Sequence, residues 1–226
     1  MRQAGPVLPL IDAYADKGVS FCQGYGLTET SPYVSVLGTA DARRKKGSAG
    51  VPLMFTEVKI LGADDESLPS MEKGDIVVWG PNVTPGYWQL PEASKNAFDR
   101  SGWFRTGDIG YLDEDGFLFI CDRKKDMIIT GGENVYPAEV ESELLAHPDI
   151  AEVAVVGIPD EKWGETVAAV ITLLGNREPS LAEVDQFLAD RLARYKRPRA
   201  LHVTDLLPRN PAGKVQKFVL RELLVS

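Results

Sequence analysis

Five short segments of this chain gather side chains able to do chemistry within a few positions of one another. Gln23-Gly24-Tyr25-Gly26-Leu27-Thr28-Glu29-Thr30 combines two glycines, an aromatic ring, hydroxyls and a carboxylate. Such a set can stack a base, donate to a phosphate and hold a divalent ion within one turn, although Gly-Tyr-Gly is also an ordinary turn. Phe104-Arg105-Thr106-Gly107-Asp108 places a carboxylate after a glycine turn. A carboxylate accepting two hydroxyl hydrogen bonds holds a ribose, and a helix N-cap aspartate is the structural alternative. Asp122-Arg123-Lys124-Lys125-Asp126 sets five charges in a row ahead of the apolar Met127-Ile128-Ile129, as a charged hinge feeding a strand would. Thr130-Gly131-Gly132-Glu133-Asn134 reads as a flexible backbone loop able to approach a ligand closely. Pro208-Arg209-Asn210-Pro211-Ala212-Gly213-Lys214 presents a lysine on a loop stiffened by proline. It lacks the upstream glycine and the Ser/Thr of a Walker A loop, and suits a cation meeting developing negative charge on a phosphate or carboxylate.

The elements that must position these loops differ between the two halves. Residues 1–121 are punctuated by Gly and Pro around β-prone runs at 56–61, 76–79 and 117–120, predicting a small sheet or distorted barrel with one helix near Leu8 to Asp16. From about residue 125 the pattern is mixed. Pro137 opens a helix with Glu139 and Glu141 in its first turn and Val140 and Leu144 on its apolar face. Strands are predicted at 151–158 and 166–173. Ser180 and Glu183 form a capping-box pattern ahead of Val184, Phe187, Leu188 and Leu192. A strand near 200–203 and a helix from about 217 complete the unit. The expectation is an α+β chain: a β-rich, barrel-like subdomain over 1–124, then a compact mixed α/β domain over 125–226.

Composition narrows the function classes. With 44% apolar and 26% charged residues, the 226-residue chain can bury a core, which argues against disorder, collagen and coiled coil. A net charge of −8, from 25 Lys plus Arg against 33 Asp plus Glu, argues against a nucleic-acid or anionic-membrane binder. The charge is unevenly spread. Residues 125–190 hold 3 basic and 14 acidic side chains, whereas 191–221 hold nine basic ones against Asp205 alone. That stretch suits a phosphate-bearing ligand, or else forms a solvated face. Cys22 and Cys121 lie far apart, and His147 and His202 stand away from any ligand-spaced cluster, so zinc hydrolysis and Ser-His-Asp catalysis lack their parts. Nothing approaches the roughly 18 apolar residues of a membrane span, Met1 to Gly5 lack a signal peptide's apolar region, and the cysteine usage fits a reducing cytoplasm.

In this order the five segments resemble the adenylate-forming superfamily of acyl-CoA synthetases, firefly-type luciferases and peptide-synthetase adenylation domains, and most of all the fatty-acyl-CoA ligase branch. The marks are Gln23 to Glu29, Phe104 to Asp108, Asp122 to Ile129, Gly131 to Glu139 and Asn210 to Lys214. The resemblance implies that Tyr25 lies against adenine, Thr28 contacts phosphate and Glu29 helps hold Mg²⁺. Asp108 would bind the ribose with help from Arg123, and Lys214 would bridge the carboxylate and α-phosphate. Lys125 would be the hinge of a small mobile domain, whose swing withdraws Lys214 and brings Gly131 and Gly132 toward the thiol of CoA. The implied substrates are ATP, a small carboxylic acid, a fatty acid in the branch it most resembles, and CoA, giving acyl-AMP and then acyl-CoA and AMP.

Members of that superfamily are more than twice this length. The phosphate-gripping loop and most of the acyl pocket lie upstream of anything in the 226 residues, so the chain reads as the C-terminal part of a synthetase, inactive alone and needing the N-terminal part of the same enzyme. Asp122 stands where several branches have Gly, and Lys217 where many have Arg. Two other readings remain open: a carrier-protein-loading adenylation enzyme, and a non-catalytic binding fragment.

Overall fold

The computed structural model describes residues 13, 14 and 16–225, which divide into two compact units between Lys124 and Lys125. The helix expected near Leu8 to Asp16 falls almost wholly outside the described residues.

In the first unit, strands β1 (Gln23–Tyr25), β2 (Ser35–Leu37) and β3 (Val51–Pro52) form an antiparallel sheet. Strands β4 (Glu57–Leu61), β5 (Gly74–Trp79), β6 (Phe104–Leu112) and β7 (Leu118–Arg123) form a second, four-stranded antiparallel meander. Both sheets are open, so no barrel closes. They meet where Ala49 N donates to Leu118 O at 2.7 Å and Leu118 N to Gly50 O at 2.8 Å. Gly50 has φ +91°, and a Cβ there would come within 1.9 Å of the Val36 backbone, so only glycine allows this approach. Tyr25, Val34, Ala49, Ile60, Ile76, Val78 and Leu118 fill the core between them. The sequence reading did not foresee α1 (Pro91–Asn96). Pro91 at its start, Glu92 in its first turn and Lys95 in its last are its local signals, and none of its six residues is buried to give an apolar period.

The second unit runs β8 (Ile128–Thr130), β9 (Glu133–Val135), α2 (Pro137–Leu144), β10 (Ile150–Asp160), β11 (Gly164–Leu173), α3 (Leu181–Leu188), β12 (Ala200–Val203) and α4 (Lys217–Val225). The sheet order is β10-β11-β8-β9, with β12 parallel to β11. The period of two along β10 and β11 builds two cores. Val155, Val167, Ala169 and Ile171 face Val140 and Leu144 of α2 and Val184 and Leu188 of α3. Ala154, Val156, Ala168 and Val170 face Leu207 and Leu220 of α4. The capping box at α3 is present: Ser180 Oγ accepts from Glu183 N, and Glu183 Oε2 accepts from Ser180 N at 2.8 Å.

The basic stretch is not a free field. Six of its nine cations pair with acids earlier in the unit: Arg191 with Glu143, Lys196 with Glu139, Arg197 with Asp185, Arg209 with Glu152, Lys217 with Glu141 and Arg221 with Asp126. The charge asymmetry between 125–190 and 191–221 is therefore largely internal complementarity. Lys217 is a core cation, 5% exposed, with its Nζ 2.7 Å from Glu141.

Candidate functional site

Asp108 is neither an N-cap nor the end of a simple turn, since it lies inside β6 at a bulge. Asp75 and Val77 of β5 face Ile109 and Arg105, which leaves Thr106, Gly107 and Asp108 opposite Ile76 alone. Gly107 takes φ +75° to absorb the extra residues. Thr106 Oγ1 donates to Ile76 O at 2.8 Å and accepts from Asp108 N at 3.1 Å, which fixes the bulge. A bulge of this kind re-aims a side chain, and here it brings the Asp108 carboxylate beneath β1. Tyr25 OH donates to Asp108 Oδ2 at 2.7 Å. Register places Arg123 of β7 opposite Asp108, with Nε 3.5 Å from Oδ1.

The structure thus joins three of the expected nucleotide-binding residues, Tyr25, Asp108 and Arg123. Burial is the main reason that the Asp108 carboxyl is held above the ordinary carboxylate range, against the lowering influence of the Tyr25 bond and of Arg123. Burial and then the adjacent Asp108 charge likewise raise the Tyr25 hydroxyl. Tyr25 is a core residue, only 8% exposed, so its ring serves the packing of the unit as much as any ligand. One lone-pair side of the carboxylate is committed to Tyr25, and a carboxylate's remaining acceptor sites suit ribose hydroxyls.

Thr28 and Glu29 sit on the single 3₁₀ turn Thr28–Thr30 that follows β1. Thr30 Oγ1 accepts from Leu27 N at 2.9 Å and ties the turn down. Glu29 Oε1 accepts from Tyr87 OH at 3.1 Å, and Glu29 O accepts from Thr84 N at 2.8 Å. Asn82 Nδ2 donates to Thr30 O at 3.0 Å and to Tyr33 O at 3.1 Å. Tyr87 and Asn82 escaped the sequence reading, and the run Pro81 to Gly86 that bears Asn82 and leads to Tyr87 was the available clue. No group of three or more His, Cys, Asp or Glu able to hold a metal occurs among the described residues. Glu29 alone still fits magnesium in a nucleotide complex, because that ion commonly takes one or two carboxylates and completes its shell with phosphate oxygens and water.

In the second unit, Gly131 and Gly132 form a two-residue hairpin turn between β8 and β9, with φ +60° and +84°. That geometry corrects the expectation of a flexible loop, since positive φ at both central residues marks the tight turn that matches strand twist. Gly131 N donates to Trp163 O at 2.9 Å, and a Cβ on Gly131 would lie 2.8 Å from the Trp163 ring. Arg199 stacks on the other feature of this corner, the Trp163 indole, at 4.6 Å. Lys125 is exposed and opens the second unit. Lys214 stands on a separate, exposed hairpin, and no ion pair engages it among the described residues.

Comparison with known proteins bears on these features. Residues 7–88 match the family described as AMP-binding enzyme, and residues 139–214 match the AMP-binding enzyme C-terminal domain. The chain is 49% identical over 216 residues to a 2-succinylbenzoate–CoA ligase of Geobacillus kaustophilus, covering 96% of this chain and 44% of that protein. It is 49% identical over 213 residues to the long-chain-fatty-acid–CoA ligase FadD13 of Mycobacterium tuberculosis, covering 94% and 42%. The o-succinylbenzoate CoA synthetase of Bacillus subtilis, solved with its acyl-adenylate intermediate, superposes with a TM-score of 0.86 at 43% identity over 97% of this chain and 44% of that one. The same enzyme solved with ATP and a magnesium ion gives 0.85 at 42%, over 96% and 44%. The chain spans less than half the length of the curated relatives it matches. No helix among the described residues is long and apolar enough to cross a membrane.

Proposed function

We propose, from the premise that this chain belongs to the adenylate-forming family of AMP-binding enzymes, that it carries the adenosine-facing and lysine-bearing parts of an AMP-forming acyl-CoA ligase. The observation that carries this reading is the cluster in which the buried Tyr25 and Asp108 meet the exposed Arg123, a preorganised polar site at the edge of the first unit's core. Asp108 accepts the ribose hydroxyls, Arg123 steadies its second oxygen, and Tyr25 orients the carboxylate while offering ring surface to the base. Thr28 donates to phosphate, and Glu29 holds magnesium with Tyr87 fixing the carboxylate. Magnesium, when bound, offsets the triphosphate charge that an approaching carboxylate meets.

Lys214 supplies the matching protein charge. Adenylation joins two anions, and a cation presented at the carboxylate and α-phosphate lowers that barrier. Thioester formation needs a thiol in place of that cation, so the second unit turns about Lys125, withdrawing Lys214 and bringing the Gly131 and Gly132 turn to the acceptor. The acceptor is CoA and the acid a carboxylic acid. A fatty acid is the finer reading, supported by the likeness to FadD13, while equal identity to a 2-succinylbenzoate ligase supports only the broader class. Cys22 and Cys121, neither of them in a disulfide, suit a cytoplasmic setting.

Such a synthetase also needs a triphosphate-gripping loop and an acyl pocket, so the 226 residues alone are expected to show no ATP–pyrophosphate exchange. The test therefore uses a polypeptide that contains this chain and supports adenylation. Lys214→Ala should cost adenylation about 3–5 kcal/mol in barrier height, or several orders of magnitude in exchange rate, while supplied acyl-AMP is still converted with CoA. Equal loss in both half-reactions, or little in either, contradicts the reading.

A further inference from the structure

Lys214 belongs to a stretch in which most cations are locked into ion pairs, yet its own Nζ is uncommitted and residues 211–214 are all exposed. An exposed loop with no apolar packing ordinarily samples many conformations. Here polar bonds take the place of packing. The base of the hairpin closes through Gln216 N to Pro208 O at 2.8 Å and Asn210 N to Lys214 O at 2.9 Å. Inside it, Gly213 N donates to Asn210 O at 2.8 Å. The Asn210 side chain then collects two further amides, with Oδ1 accepting from Ala212 N at 3.0 Å and from Lys214 N at 2.9 Å. Arg209 closes the remaining side, donating from Nη1 to Gly213 O at 2.8 Å while Nη2 pairs with Glu152 on β10. The amides of Ala212, Gly213 and Lys214 are all engaged, and the turn is anchored to the central sheet.

We propose that Asn210 and Arg209 are positioning residues that hold Lys214 in one orientation before any substrate arrives. Neither reaches a reacting atom: Asn210 fixes the backbone of the turn, and Arg209 fixes the turn to β10. Ordering this loop in advance spares the adenylation step the conformational entropy of doing so, which is where preorganised sites gain rate. The inference rests on the reading of Lys214 as the cation of adenylation.

Two measurements test it together. In the 226-residue chain, amide hydrogen exchange and ¹⁵N relaxation read the loop directly, whatever the reaction. Asn210→Ala should lower protection of the Ala212 and Lys214 amides at least about tenfold and bring their order parameters to below ~0.6, whereas Asn210→Asp, which keeps the acceptor, should preserve both. In the adenylation-competent polypeptide, Asn210→Ala should lower kcat of ATP–pyrophosphate exchange about 10- to 100-fold with KM for ATP within about threefold, and leave thioester formation from acyl-AMP unchanged. Asn210→Asp should recover most of the rate, and Arg209→Gln should share the selective loss. Unchanged amide protection in Asn210→Ala, wild-type exchange kinetics, or equal loss in both half-reactions would each overturn the positioning role. If Lys214→Ala itself fails to separate the half-reactions, the reading of Lys214 falls and its positioning falls with it, and this outcome is recognised because the Asn210→Ala amides still lose protection.

Discussion

The Tyr25 to Asp108 hydrogen bond is the contact on which the proposed nucleotide site depends, and Tyr25→Phe removes it without changing the shape of the core. The ring stays buried among Val34, Ala49 and Leu118, so no cavity forms, and the loss is that of one hydrogen bond to a buried charge. Such bonds contribute about 1.5–3 kcal/mol, and that is the expected cost of Tyr25→Phe at neutral pH. In an Asp108→Asn background the acceptor is neutral, so the same substitution should cost only about 0.5–1.5 kcal/mol. The double-mutant cycle should then return a coupling of about 1 kcal/mol or more. The pH dependence follows from the raised Asp108 pKa. A carboxyl whose folded-state pKa lies above its unfolded one makes its ionised form a cost at neutral pH, and that cost disappears as the pH falls and both states protonate. The Tyr25→Phe deficit should therefore shrink on acidification, and Asp108→Asn should be neutral or stabilising at pH 7. Urea unfolding followed by tryptophan fluorescence measures this. Trp79, Trp88 and Trp103 lie in the first unit and Trp163 in the second, so a Trp163→Phe background reports the first unit alone. A coupling within the roughly 0.3–0.5 kcal/mol scatter of independent sites, or a deficit that grows toward acid pH, would refute the argument.

Three further outcomes are expected. Lys125→Pro, which fixes φ near −65° at the boundary between the units, should impair thioester formation while leaving adenylation within about tenfold of wild type; parallel loss of both rates at unchanged melting temperature would remove Lys125 from the hinge role. Glu141→Gln leaves the buried Lys217 without its counter-charge and should destabilise the second unit by about 3–5 kcal/mol, with Lys217→Met recovering much of that in the same background, as read by thermal unfolding. Gly131→Ala forces a side chain into positive φ against the Trp163 ring and should cost about 1–3 kcal/mol with a shifted Trp163 emission; an unshifted emission and unchanged melting temperature would show that the turn relaxes freely.

The candidate site residues stood out in the sequence because their types and local order are distinctive. Thr106-Gly107-Asp108 announces a backbone irregularity, and Pro208 to Lys214 a stiffened lysine loop. The second unit was equally legible: Val140 with Leu144, the capping box at Ser180 and the apolar alternation of β10 and β11 are short-range patterns that burial enforces. The first unit was less so. Its strands are short, and β6 was hidden because the bulge at Thr106 to Asp108 breaks the period of two at the candidate site. Partnership was beyond sequence altogether. That Tyr25 bonds a residue 83 positions away, that Tyr87 holds Glu29, and that the basic stretch 191–221 is largely neutralised by acids of 125–190 are matters of strand register and helix packing. Sequence set which groups were present and their local backbone habit. Only the tertiary structure decided which charges were consumed in holding the fold together and which, like Lys214, were left exposed outside any ion pair.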